Sequence, residues 1–167
     1  MLSSVIDRLT AADVNSLAEI QGLAHAVSVV IDSAASGTPP TLSQLQALGL
    51  SDGTATNLAA IQAAITATNN DGSEVDSIAE IQALITRAGN LDLIARYDGT
   101  NTAPTTSTYS GAGVTGVTAT NLTLLNSSVA GLTSPATDST AEVQNLVTSV
   151  NAVLALADGG SNAAAAV

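Results

Sequence analysis

The residues with the most chemical potential in this chain are a run of oxygen-bearing side chains near its middle. Asn69, Asp71, Ser73, the carbonyl of Val75, Ser77 and Glu80 fall at positions one, three, five, seven, nine and twelve of an EF-hand-like loop, the spacing that wraps oxygens around a calcium ion. Two residues break the pattern. Position six, where Gly makes the sharp turn, is Glu74, and position eight, ordinarily apolar, is Asp76. The pattern also fails to recur further on, where Gly131 and Thr133 occupy the first two ligand positions. Ser77 and Glu80 have a second reading as an SxxE capping box, with Glu74 and Asp76 well placed near the positive end of a helix. The box is the favoured reading. Asn69, Asp71, Ser73 and Glu80 stand as weak calcium candidates, and no other metal or cofactor is expected.

Catalysis has little to work with. His25 is the single histidine, flanked by Ala on both sides inside an apolar-periodic stretch, and no carboxylate or nucleophile stands at a useful spacing from it. Ser and Thr are abundant, but GxSxG, SxxK, GxGxxG and P-loop patterns are missing, so no nucleophile or nucleotide cradle is singled out. Arg87 and Arg96, close to Tyr97, could contact an anion or partner; pairing with Asp92 and Asp98 is the simpler expectation, and such surface pairs are worth little. Tyr109 aligns with Leu45 and reads as core. The chain is not expected to be an enzyme.

Composition limits the elements that must position these groups. There are 31 Ala, 21 Thr and 13 Gly among 167 residues, with no Phe, Trp or Cys, so a core must be built from Ala, Val, Ile and Leu in thin, closely approaching layers. Apolar content of 46% argues against a disordered chain. A formal net charge of -11, with three Arg and no Lys, repels phosphate and anionic lipid, which makes nucleic-acid or membrane-surface binding improbable. No apolar run reaches the roughly 18 residues of a membrane span. The segment Met1–Arg8 lacks the basic and apolar regions of a cleavable leader, although export through a signal elsewhere stays open. Without Cys, stability does not depend on redox compartment, which suits an exported protein as well as a cytosolic one.

The chain repeats itself. VNSLAEIQGL from Val14 recurs as VDSIAEIQAL from Val75, 61 positions on, and DSTAEVQNLV from Asp138 lies 62 positions beyond Asp76. Between these copies, GLSDGTATNL from Gly49 recurs 64 positions on as GVTGVTATNL from Gly113. The expected architecture is all-α: about 2.5 copies of a 61–64 residue unit of three to four short helices. It comprises an N-terminal helical segment (1–11), repeat 1 (12–72), repeat 2 (73–137) and a half repeat (138–167).

Local signals mark the helices. Ser16 with Glu19, Ser77 with Glu80 and Ser139 with Glu142 read as three capping boxes. Leu17, Ile20, Leu23 or Ala24, Val27 and Ile31 keep a helical spacing, as do Val143, Leu146, Val150, Val153 or Leu154 and Ala157. Thr54 and Thr118 read as N-caps of shorter helices, while Pro40–Gly49 and Pro104–Gly113 suggest short helices closed by Gly. Asn69–Gly72 and Asp98–Asn101 read as loops. Thr115–Thr123 has strand propensity but no strict alternation, which favours helix.

The blocks AEIQALI, GVTGVTATNLTLLNSSV and LIARYDGTNTAPT resemble the helical repeats found in long arrays within giant secreted surface proteins of bacteria, the large adhesins and biofilm-matrix proteins. The resemblance spans about Ala12 to Asn162. It implies an extracellular spacer or scaffold at the bacterial cell surface, or a small self-assembling relative that forms filaments. The first unit departs from it: GVTGVT becomes LSDGT after Gly49, and ARYDGT has no counterpart after Ile31. Expected partners are adjacent repeats or copies of the chain joined end to end, through the half repeat and the tail Asp158–Val167, which otherwise is a flexible end. The competing reading is an adhesion module whose Thr- and Asn-rich loops recognise glycan or protein.

Overall fold

The computed structural model describes residues 1–34, 37–68, 75–132 and 136–157. Those residues form eight helices and no strand: α1 Leu2–Ile6, α2 Leu17–Ala34, α3 Leu42–Ala47, α4 Leu58–Thr66, α5 Ile78–Ala95, α6 Thr106–Gly111, α7 Leu122–Ala130 and α8 Thr140–Ala157. The protein is all-α. None of these helices is long and apolar enough to cross a membrane.

Helix lengths recur along the chain: α2, α5 and α8 have 18 residues each, α3 and α6 have 6, and α4 and α7 have 9. The ends are set by local chemistry. Ser16, Ser77 and Ser139 each receive the N–H of the Glu three residues on, at 3.2–3.3 Å, and the Glu carboxylate accepts the Ser amide at 2.9–3.1 Å. Thr41 with Gln44 and Thr105 with Thr108 form the same box at α3 and α6. Both short helices stop in the same way. Leu50 N–H reaches Leu45 O and Gly49 N–H reaches Gln46 O, and Val114 and Gly113 do likewise with Tyr109 and Ser110. This is a Schellman closure, whose left-handed residue is Gly49 (φ 73°) and Gly113 (φ 80°), a conformation that costs Gly little.

Two compact units divide the chain, Met1–Gly89 and Asn90–Val167, with the boundary inside α5. In the first, Leu23, Val27 and Val30 of α2, Leu45 of α3, Leu48 and Leu50 beyond it, Ile61 and Ile65 of α4 and Ile78, Ile81 and Ile85 of α5 form one core, joined by Val5 of α1. In the second, Ile94, Tyr109, Ala112, Val114, Leu125, Val129, Val143, Val147 and Val150 form another. Apart from Tyr109 every buried side chain in these cores is aliphatic, as the composition required. Gly89 lets α5 run close to the loop before α4, since a Cβ there would lie 3.2 Å from Asn57 Nδ2.

Three expectations need correction. The buried stripe of α2 is Leu23, Ala26, Val27, Val30 and Ala34, while Leu17, Ile20 and Ile31 are exposed. Helices α1, α3 and α4 all contact α2, and the residues of α2 enclosed in the core start at Leu23. Toward the end of α8, of the two alternatives, Val153 is exposed and Leu154 packs partly buried against the second core. Helices α4 and α7 begin at Leu58 and Leu122, four residues after the expected Thr caps. Thr54 and Thr118 instead close a turn on Asn57 and Asn121, which stand at the N-cap positions. Thr115–Asn121 is therefore loop, and helix begins only at Leu122. The tail 158–167 and the loop reading at Asn69–Gly72 lie outside the described residues.

Ser33 in α2 buries its hydroxyl without a hydrogen-bond partner among the described residues, at the position that aligns in sequence with the buried Ile94 of α5. Removing an unsatisfied buried hydroxyl relieves its desolvation, so Ser33→Ala is expected to raise stability by about 1 kcal/mol. A rise in the urea midpoint at unchanged slope would register it.

Candidate functional site

The most specific polar constructions in the molecule are two clamps between a loop and a long helix. In the first unit, Ser51 N–H donates to Gln82 Oε1 at 2.9 Å and Gln82 Nε2 donates back to Ser51 O at 3.2 Å. In the second, Thr115 N–H donates to Gln144 Oε1 at 2.9 Å and Gln144 Nε2 returns to Thr115 O at 3.2 Å. A primary amide offers a donor and an acceptor side by side, so one Gln satisfies both backbone groups of a loop residue that no helix or strand pairs. The loop is then held at the helix surface. Inside each loop an Asn works in the same manner: Asn57 Nδ2 donates to Asp52 O at 2.9 Å, and Asn121 Nδ2 donates to Gly116 O at 2.8 Å.

A third construction lies against the core, part-buried in the first unit and buried in the second. Gln62 Nε2 donates to Pro40 O at 2.9 Å, beside a core in which Leu45 is fully buried. At the aligned positions the second unit holds Asn126 and Tyr109. Asn126 Nδ2 donates to Pro104 O at 2.9 Å, and its Oδ1 accepts the Tyr109 hydroxyl at 2.7 Å. The shorter amide and the longer aromatic change together. Burial, and then the nearby Tyr97, push the Tyr109 phenol well above its ordinary range, so it stays a neutral donor.

The carboxylates whose acidity is shifted sit in caps and turns. Hydrogen bonds from Asp76 and then Ser77 hold the Glu80 carboxyl below its usual value, and Asp76 is raised by that same hydrogen bond and by the charge of Glu80. Ser139 first, and Asp138 after it, hold Glu142 low. Asp13 is held low by Thr10, and Asp98 by Thr100 and Asn101. Lowered folded values mean that the stabilisation is complete above the ordinary Glu value of about 4.3 and is lost as pH falls through the folded values. Stability is therefore expected to drop below about pH 4. Protonation of Asp76 acts against this at the second box, so Glu142 gives the cleaner signal. Gln also completes a capping box, so Glu142→Gln should flatten the acid limb of a stability-versus-pH series while leaving neutral stability nearly unchanged.

Of the sequence-derived calcium candidates, only Glu80 is among the described residues. Asn69, Asp71 and Ser73 lie outside the described residues, and Glu80 sits in its box with Ser77. Among the described residues no group of three or more His, Asp or Glu could hold a metal ion. His25 is exposed on α2. Arg96 pairs with Asp92 one turn away, whereas Asp98 turns to Thr100 and Asn101 rather than to an Arg. Arg87 is exposed on α5. An open groove of about 540 Å³ runs between α2 and α3, with Leu23 and Ala26 on one side and Gln44 and Ala47 on the other. Its carboxylates, Asp13 and Glu19, already accept hydrogen bonds from Thr10 and Ser16.

No family model, curated protein or solved structure matches the chain.

Proposed function

We propose that this chain is a non-enzymatic structural repeat protein, a segment of a bacterial surface adhesin, biofilm matrix or self-assembling filament that acts extracellularly as spacer or scaffold. The observation that carries the reading is the recurrence of whole hydrogen-bond sets at aligned positions. Three Ser–Glu boxes, two Gln–loop clamps and two amide-to-proline contacts recur. Helices of 18, 6 and 9 residues follow the same order. A binding or catalytic site needs polar groups turned toward a ligand, whereas the polar groups of these recurring sets are turned toward the chain's own backbone. This supports about 2.5 copies of one unit.

The proposed location follows from the resemblance to secreted surface repeats and agrees with a cysteine-free chain of net charge -11. Its partners on this reading are adjacent repeats or copies of itself, end to end, without nucleic acid. The alternative of a glycan- or protein-binding module is less favoured because Thr54, Asn57, Thr118, Asn121, Thr100 and Asn101 are hydrogen-bonded within their own loops. Labelling of intact cells with an antibody to the purified chain, combined with fractionation, tests the location: surface or medium is expected, and confinement to the cytosol would overturn it. A glycan array with loop-dependent hits would move the alternative ahead.

A further inference from the structure

Helix α1 stands where the end of a short helix stands before each of the other long helices. Its Val5 lies 11 residues before Ser16, as Ile65 of α4 lies 12 before Ser77 and Val129 of α7 lies 10 before Ser139. Each of the three is at most 1% exposed, and α1 contacts α2 as α7 contacts α8. Before α5 and α8 there is also a first short helix, α3 or α6, whose Gly closure lies against the opening turns of the long helix. Thr140 Oγ1 donates to Ala112 O at 2.9 Å, and Gln82 and Gln144 clamp Ser51 and Thr115, each the second residue after the closing Gly. Ile78 and Ile81 share a core with Leu45, Leu48 and Leu50 of that segment and are 3% and 0% exposed. The aligned residues of α2 are Leu17, Ile20 and Gln21, and all three are exposed, Leu17 at 70% and Ile20 at 37%.

Resting on the repeat reading, we propose that the opening turns of α2 are a docking site for a short helix and its Gly closure from a neighbouring repeat, of the kind that 41–51 and 105–115 form. The two occupied sites define what fits. An apolar residue follows the closing Gly in both, Leu50 and Val114, and the residue after it gives an N–H and a C=O to one Gln amide. Gln21 brings the same paired donor and acceptor to α2. The apolar part of the surface continues an interface already in use. Ile20 is followed at three- and four-residue spacing by Leu23, Val27 and Val30, which are buried in the core with Leu45 of α3 and Ile61 and Ile65 of α4. Charge sets no barrier, because neither 41–51 nor 105–115 contains a charged residue and Glu19 is engaged in its capping box with Ser16. The loops at Ser51 and Thr115 are already held within this chain, so a second copy has neither to offer, and the occupant is a further short helix.

Thiol reactivity tests this, because the chain has no Cys and one substitution gives a single reporter. Ile20→Cys and Ile81→Cys are made in the full chain, with circular dichroism to show that both fold. Ile20→Cys is also made in a chain that carries a second copy of residues 38–60 before Met1, which supplies the short helix, its closure and the loop ahead of α1; a scrambled copy of the same residues is the control. In the full chain the thiol at position 20 is expected to react freely with a maleimide, and the thiol at position 81 at least about tenfold more slowly. The added segment should bring position 20 down to the rate of position 81, and the scrambled segment should leave it fast. Gln21→Ala should restore fast reaction in the extended chain and leave the urea midpoint of the original chain unchanged. A thiol at position 20 that stays fast with the added segment overturns the proposal, and so does equal protection by the scrambled segment or by a chain carrying Gln21→Ala. Those outcomes leave the repeat reading standing, whereas fast reaction at position 81 in a folded chain would remove the occupied precedent and the repeat reading with it.

Discussion

Tyr109→Ala is expected to lower the stability of the folded chain by about 3–5 kcal/mol, the range for deleting a fully buried aromatic side chain. The ring is completely buried among Val114, Leu125 and Val129, and its hydroxyl is the donor that satisfies Asn126 Oδ1. Tyr109→Phe keeps the ring and orphans that oxygen, so its cost should be about 1–3 kcal/mol. The more informative result concerns exchange. The first unit solves the same packing problem with Leu45 and Gln62, so Tyr109→Leu combined with Asn126→Gln rebuilds the first unit's pair within the second. Either change alone leaves a cavity, a clash or an unpaired amide. Together they should recover about 1–2 kcal/mol relative to the sum of the singles, a coupling typical of residues in direct contact. Urea titrations of the four members of this cycle supply the measurement, and strict additivity would count against the pair acting as a unit.

Ile81→Ala is expected to cost about 2–5 kcal/mol, whereas Ile20→Ala at the same place in α2 should cost less than about 1 kcal/mol. The two residues are chemically identical and follow the same capping box at the same spacing. Only their surroundings differ. Ile81 is fully enclosed with Ile61, Ile65 and Ile85, and Ile20 faces solvent. Thermal or urea unfolding of the two variants side by side would show whether neighbours, rather than local sequence, set the value of this position. Comparable losses at both sites would mean that the first turns of α2 are covered in solution.

Local signals were legible where the chemistry is confined to a few residues. The three SxxE boxes, the Gly49 and Gly113 closures and the core position of Tyr109 each depend on side chains within about one helical turn or on an aligned apolar residue. The stripe of α2 was not legible, because Leu17 and Ile20 keep perfect helical spacing with Val27 whether or not anything packs on them. Periodicity reports which side of a helix is apolar; the cover comes from elsewhere in the chain. The Gln–loop clamps are not legible either, although the Gln of AEIQ and AEVQ repeats in the sequence. Linking Gln82 to Ser51 requires knowing that a loop 31 residues earlier lies against α5, information that no local spacing contains. The Thr54 and Thr118 caps were misplaced for a related reason. Asn57 and Asn121 hold the preceding loop through their amides, and this delays the helix by one turn.

The central claim is that one helical unit is written more than once and that its side chains are exchangeable as sets. Equilibrium unfolding of a chain in which residues 104–130 replace residues 40–66 tests it most directly, since the transplanted segment brings α6, its Schellman closure, the Thr115 loop and α7 together with Tyr109 and Asn126. The claim predicts a folded chain of unchanged helical content that unfolds cooperatively, within about 2 kcal/mol of the original, the cost of repacking a core with volume and pattern retained. Loss of the helical signal, or a broad transition without cooperativity, would contradict it.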